Sequence, residues 1–145
     1  FCYLRFIVSF IVAKRNANLL IYYHMIQKKT LVFGASLNTD RYSNIALERL
    51  SSKAIEVTAF GLKKATIYGI DIDTGLKAYQ DIHTVTLYLN PKRQEAYYDY
   101  LIGLKPARVI FNPGSENPVF YGLLNEASIP YELACTLVLL STNQY

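Results

Sequence analysis

The sequence predicts an α/β fold: a doubly wound, parallel, five-stranded sheet in the order 3-2-1-4-5. Three observations carry this. Short runs rich in Val, Ile, Leu and Phe alternate with longer amphipathic segments through residues 25–145. Buried parallel strands read as continuous apolar runs, and parallel pairing requires a crossover segment between successive strands. The 145 residues, 52% hydrophobic and 18% charged, suit one domain large enough to fold around its own core.

The first strand is predicted over residues 30–33, Thr-Leu-Val-Phe, and ends at Gly34. Residues 43–53 follow as a helix with Ala46, Leu47, Leu50 and Ala54 on one face and Ser43 as N-cap. Residues 55–60 make the second strand, stopped by Gly61. Gly61, Gly69 and Gly75 mark residues 61–82 as a long irregular connection, with Asp71 and Asp73 solvated in it. The third strand is predicted over 83–89, which makes His83 a core or strand-edge histidine. Asn90-Pro91 then opens a helix to about Gly103, because asparagine suits the cap and proline the first helical position. Its inward residues are Tyr97, Tyr100, Leu101 and Leu104. The fourth strand, 108–111, ends at Asn112-Pro113-Gly114, and Asn117-Pro118 repeats the cap device before Leu123, Leu124 and Ala127. Residues 131–134 form the fifth strand, followed by an apolar tail from Cys135 to Leu140. Right-handed crossovers between these strands give a Rossmann-like sheet.

Composition narrows the function classes. Cys2 and Cys135 stand near opposite ends, so neither a disulfide framework nor a cysteine zinc cluster is expected, and the compartment expected is the reducing cytoplasm. With only His24 and His83 as histidines, no metal centre is expected. The net charge of +4 is unevenly spread: residues 1–24 hold Arg5, Lys14 and Arg15 and no acid. That leaves 12 Lys and Arg against 11 Asp and Glu in residues 25–145, a near-neutral body unsuited to nucleic acid.

Residues 1–24 differ in kind from the rest. Their apolar stretch from Phe6 to Ala13 is far short of the roughly 20 residues a membrane span needs, so no membrane association is expected. Lys14 and Arg15 follow that stretch, whereas a secretory signal carries its charge before it. The only methionine, Met25, stands directly before IQKKTLVFGAS at 26–36, so 1–24 is read as an upstream-translated or non-native leader and 25–145 as the domain. An added amphipathic helix is the structural alternative.

Ligands of doubly wound sheets bind outside the carboxyl ends of the strands, at the point where strand order reverses. That point is expected between the first and fourth strands. Gly34 lets the chain turn there, and the amides opening the next helix can hold phosphate. Ser36 and Ser43 add hydroxyls, and Arg41 adds a charge. The dinucleotide fingerprint G-x-G-x-x-G is missing, since Ser36 and Thr39 stand at its second and third glycines. The second strand also ends without an acid and leads into Lys63-Lys64, which suits a phosphate on the ribose better than a free hydroxyl.

LVFGAS at 31–36, Ser43-Asn44, LYLNP at 87–91, FNPG at 111–114 and ACTLVLLST at 134–142 together resemble one family. It is that of the small CoA-binding domain proteins, similar to the CoA-binding part of succinyl-CoA synthetase alpha chains. The resemblance spans about residues 28–140. It implies that Gly34, Ala35, Ser36 and Ser43 line the diphosphate of coenzyme A, with Lys63 or Lys64 near its 3′-phosphate. It further implies that Leu89, Asn90 and Pro91 flank the adenine, and that Asn112, Pro113 and Gly114 pass the pantetheine arm. Phe60-Gly61 departs from the family's usual Val-Asn-Pro-like stretch.

The expected function is non-catalytic binding of coenzyme A or an acyl-CoA. Succinyl-CoA synthetase uses a second domain with a phosphorylated histidine, and no such domain is expected here; the sequence also shows no Ser/His/Asp set and no Walker lysine. The alternatives are a component of an NAD(P)-type oxidoreductase or of a transferase acting with a partner chain, and an interaction module with a vestigial pocket. Cys135 falls beside the expected ligand edge, where a redox role competes with simple burial. The tyrosines at 97, 98 and 100 leave room for a homodimer or an unknown protein partner.

Overall fold

The computed structural model describes residues 28–145. The predicted leader and Met25 lie outside the described residues. The strands are β1 (Thr30–Ala35), β2 (Val57–Gly61), β3 (Ala65–Ile67), β4 (Ile70–Asp73), β5 (Thr84–Leu87), β6 (Arg108–Phe111) and β7 (Tyr131–Leu133). The helices are α1 (Tyr42–Ser52), α2 (Pro91–Gln94), α3 (Tyr98–Gly103), α4 (Pro118–Glu126) and α5 (Thr136–Ser141), with a 3-10 turn, Glu95–Tyr97, between α2 and α3.

One sheet runs in the order β3-β4-β2-β1-β5-β6-β7. All neighbours pair in parallel except β3, which runs antiparallel to β4 at one edge. The parallel α/β architecture is therefore as predicted, but with seven strands rather than five. Counted along the chain without β3, the parallel strands stand in the order 3-2-1-4-5-6. The predicted third strand, within 83–89, is in fact the fourth of these, and it lies beside β1. The true third is β4, hidden in the stretch read as irregular. Ile70 and Ile72 are buried there while Asp71 is exposed, an alternation that a half-buried strand produces. The hairpin was missed because three- and four-residue strands are too short for a periodic signal to stand out.

Successive residues of each central strand point to opposite faces and build two cores. Leu31, Phe33, Val85, Leu87, Val109 and Phe111 pack with Leu101 of α3 and with Phe120 and Leu124 of α4. Val32, Ala59 and Ile72 pack with Leu47 and Leu50 of α1 and Leu140 of α5. Full burial of each such side chain contributes about 1.5–3 kcal/mol before the cost of ordering it. Aromatic rings reinforce the first core, with Phe33 stacked on Phe60 at 4.6 Å and Tyr97 edge-on to both.

Local chemistry explains how the helices begin. Asn90 accepts a hydrogen bond from the Arg93 amide at 3.0 Å, and Asn117 accepts one from that of Phe120 at 3.3 Å. Both predicted cap-and-proline devices are therefore present. The helix expected after Asn90 is broken into α2, the 3-10 turn and α3. Ser43 is not a cap: α1 starts one residue earlier, with Arg41 at the N-cap position and Ser43 buried in the first turn. The apolar tail after Cys135 is α5, whose Leu137 and Leu140 are buried.

At the amino end of the sheet, Tyr145 folds back onto β1. Its hydroxyl lies 2.6 Å from that of Thr30, and its backbone oxygen accepts from Lys28 Nζ at 2.7 Å. Arg108 lies over the Tyr145 ring and pairs with Glu132 at 2.7 Å. Among the described residues, no helix is long and apolar enough to cross a membrane.

Candidate functional site

Strand register brings the predicted site segments to one edge. Ala35 pairs with Gly61, Phe33 with Leu87, Leu87 with Phe111, and Phe111 with Leu133. The segments that follow, from Ser36, Leu62, Tyr88, Asn112 and Ala134, therefore leave the sheet side by side. The order reverses between β1 and β5, not between β1 and the 108–111 strand as expected. That crevice is the binding position in a doubly wound sheet.

Two glycines shape the crevice. Gly34 has φ of +99°, and a side chain there would sit 3.0 Å from Leu89 Cδ2 and 3.2 Å from the Tyr88 carbonyl carbon. The ends of β1 and β5 thus come together backbone to backbone. A side chain at Gly61 would collide with the Ala35 carbonyl oxygen, so the end of β2 closes on β1 as well. Gly34 and the half-buried Leu89 are therefore placed against each other, with Ala35 buried beside them.

The segment from Ser36 to Arg41 turns into α1 over this crevice. Ser36 Oγ accepts from the Asn38 amide at 3.1 Å, and Asn38 Oδ1 accepts from that of Asp40 at 2.9 Å. The Arg41 side chain makes no capping bond, and the first turn of α1 contains no acid. The positive end of α1 therefore carries a cation and no side-chain acceptor. Lys63 and Lys64 are exposed in the next segment, after β2.

Other predicted residues are engaged within the fold. The Asn112 amide is buried: it donates to Thr86 Oγ1 at 2.8 Å and to the Leu87 carbonyl at 3.0 Å, and accepts from the Thr136 amide at 2.9 Å. It ties β5, β6 and α5 together beneath the edge, leaving Pro113 and Gly114 as the exposed part of that segment. Asn90 is engaged as the α2 cap, and Pro91 opens that helix, exposed. The bonds to Thr136 carry the chain from β7 back across β6, so Cys135 lies near the end of β5. It is a free, half-buried thiol at the N-cap position of α5. Neighbouring Tyr88 is largely buried, which pushes its phenol well above the usual tyrosine range.

Three polar groupings were not foreseen. Asp73, expected to be solvated, is buried and accepts from Tyr79 Oη at 2.6 Å, with Lys77 Nζ at 2.5 Å. Those two partners hold its carboxyl below the usual range. The Ile-Asp-Ile-Asp alternation could have marked the strand but places Asp73 on the exposed face with Asp71; its burial comes from Lys77 and Tyr79 folding over it. Gln94, fully buried, donates to the Leu89 and Ser115 carbonyls at 2.8 and 2.7 Å and accepts from Asn117. It braces the segments after β5 and β6, and nothing local in the sequence marks it. Asn44, also buried, donates to the Ser36 carbonyl at 2.9 Å. His83 is half-buried before β5, with Nδ1 2.9 Å from Thr84 Oγ1. Among the described residues, no group of three or more His, Cys, Asp and Glu is placed to hold a metal ion.

Residues 28–141 match the family model described as CoA binding domain. The chain belongs to the CoA-binding domain family. A crystal structure of an uncharacterized protein is 43% identical at a TM-score of 0.78, covering 81% of this chain and 98% of the other. A Thermus thermophilus protein shares the fold at 19% identity and a TM-score of 0.71, covering 88% of this chain and 98% of its own. A conserved hypothetical protein from Pyrococcus furiosus does so at 23% identity and 0.68, with coverage of 77% and 98%. No curated protein matches the chain.

Proposed function

We propose that this CoA-binding domain holds coenzyme A or an acyl-CoA at the carboxyl edge of its sheet and catalyses no reaction itself. The observation that carries the reading is the opening of α1. A helix start with no side-chain acceptor, no acid in its first turn and Arg41 at its N-cap leaves its amides free to meet an anion. Gly34 brings that helix start to the crevice, where a diphosphate would accept from its amides and from the Ser36 hydroxyl. Lys63 and Lys64 reach the 3′-phosphate in this arrangement. The non-catalytic part rests on Asp73, Gln94 and Asn112, three of the buried polar side chains around the edge. All are held by internal hydrogen bonds rather than left facing a substrate.

Calorimetric titration with coenzyme A, dephospho-CoA, NAD and ADP tests the reading. Coenzyme A is expected to bind tightest, and loss of the 3′-phosphate to cost about 1–3 kcal/mol, as for other charge-assisted contacts. Equal affinity for dephospho-CoA removes Lys63 and Lys64 from the site. Tighter binding of NAD overturns the proposal in favour of a redox component.

A further inference from the structure

Beside the apolar packing of Ile70 and Ile72 with Leu47 and Leu50, the turn of the β3–β4 hairpin is hydrogen-bonded to α1 through Tyr68. Tyr68 occupies the left-handed region at φ +54°, an uncommon conformation for a bulky side chain. Its carbonyl accepts from Ser51 Oγ near the end of α1 at 2.9 Å. Its hydroxyl donates to Asn44 Oδ1 near the start of α1, also at 2.9 Å. The Asn44 amide nitrogen in turn donates to the Ser36 carbonyl at 2.9 Å. Tyr68 therefore runs along the helix and ends on the residue that holds the Ser36 segment.

We propose that Tyr68 is a positioning residue for the anion-binding segment, acting through Asn44 on Ser36; this rests on the coenzyme A reading above. Asn44 is buried, so each end of its amide needs a partner. Its nitrogen is committed to the Ser36 carbonyl, which leaves its oxygen to accept and makes the Tyr68 hydroxyl the donor. Removing that hydroxyl leaves Asn44 Oδ1 unsatisfied. The amide then either stays in a costly environment or turns away and releases Ser36. The edge hairpin is thus coupled to the segment that receives the diphosphate, although Tyr68 touches no ligand.

The test is Tyr68→Phe, which keeps the ring and removes only the hydroxyl. Amide hydrogen exchange of the unliganded protein is expected to speed up over residues 36–41 while the central strands keep their protection. Coenzyme A affinity is expected to fall roughly three- to tenfold, the scale of one hydrogen bond. A purely structural role predicts faster exchange across the hairpin and sheet together, and that result overturns the proposal. So does unchanged exchange over 36–41, or unchanged affinity in a variant of a protein that binds coenzyme A. Should the wild type bind no coenzyme A, the functional reading fails, while the exchange measurement still decides whether Tyr68 governs the segment.

Discussion

Ser36 is where residue chemistry and ligand chemistry separate most cleanly. Its hydroxyl accepts from the Asn38 amide, and a carboxylate at this position can accept the same bond. An acid is also favourable near the start of α1, where the first turn has none. Beside a diphosphate, the same charge is repelled at short range with little screening. Ser36→Asp is therefore expected to abolish most coenzyme A binding while shifting the unliganded melting temperature by no more than a few degrees. Calorimetry and a thermal melt on the same variant check both halves, and retained affinity would place the anion elsewhere. Gly34 behaves in the opposite way, because its positive φ and its approach to Leu89 make it structural before it is functional.

Among the elements, β4 and the segment after it have the clearest pH signature. Asp73 ends β4 and holds Lys77 and Tyr79, while Tyr100 of α3 donates to the Lys77 carbonyl at 2.6 Å. Together they fasten residues 74–80 across the sheet. The Asp73 carboxyl is held below the usual range, so the unfolded chain takes up its proton more readily than the folded one. Its stabilising contribution is complete above about pH 4, the unfolded value, and is lost as pH falls through the lowered folded value. Asp73→Asn is expected to melt at a lower temperature than wild type at pH 7. The gap should narrow on acidification to about pH 3. Melting curves at several pH values check this, and a gap that stays constant would mean that the carboxylate's charge contributes nothing.

At the scale of the whole molecule, a ligand that binds only the folded chain must raise its melting temperature. With coenzyme A at a hundred times its dissociation constant, the stabilisation is about 2.7 kcal/mol. For a domain this size that corresponds to a rise of about 5–10 °C. NAD at the same concentration is expected to give a much smaller rise. Equal shifts from both would mean that the crevice reads only the shared adenosine diphosphate.

Much of this architecture is written locally. Apolar runs marked the strands at 30–33, 108–111 and 131–134, and the Asn-Pro pairs marked two helix starts, because strand burial and capping depend on neighbours in sequence. The glycine after the first strand and the motifs at 31–36, 87–91 and 111–114 were enough to name the family. The position of the 84–87 strand was not local. It depends on which edge of β1 is free, and β2 and β4 already occupy the other side. The roles of the polar residues were decided in the same way. Asn112 and Pro113 look equally available in sequence, yet packing buries one amide among Thr86, Leu87 and Thr136 and leaves the other residue at the surface. The sequence by itself determined the alternation of elements, the chemistry of their ends and the edge where a ligand belongs, since these follow from short-range sterics and burial. Only the tertiary structure decided the strand order and which polar groups face that edge, because buried polar groups must find partners, and those of Asn44, Gln94 and Asn112 include residues far along the chain.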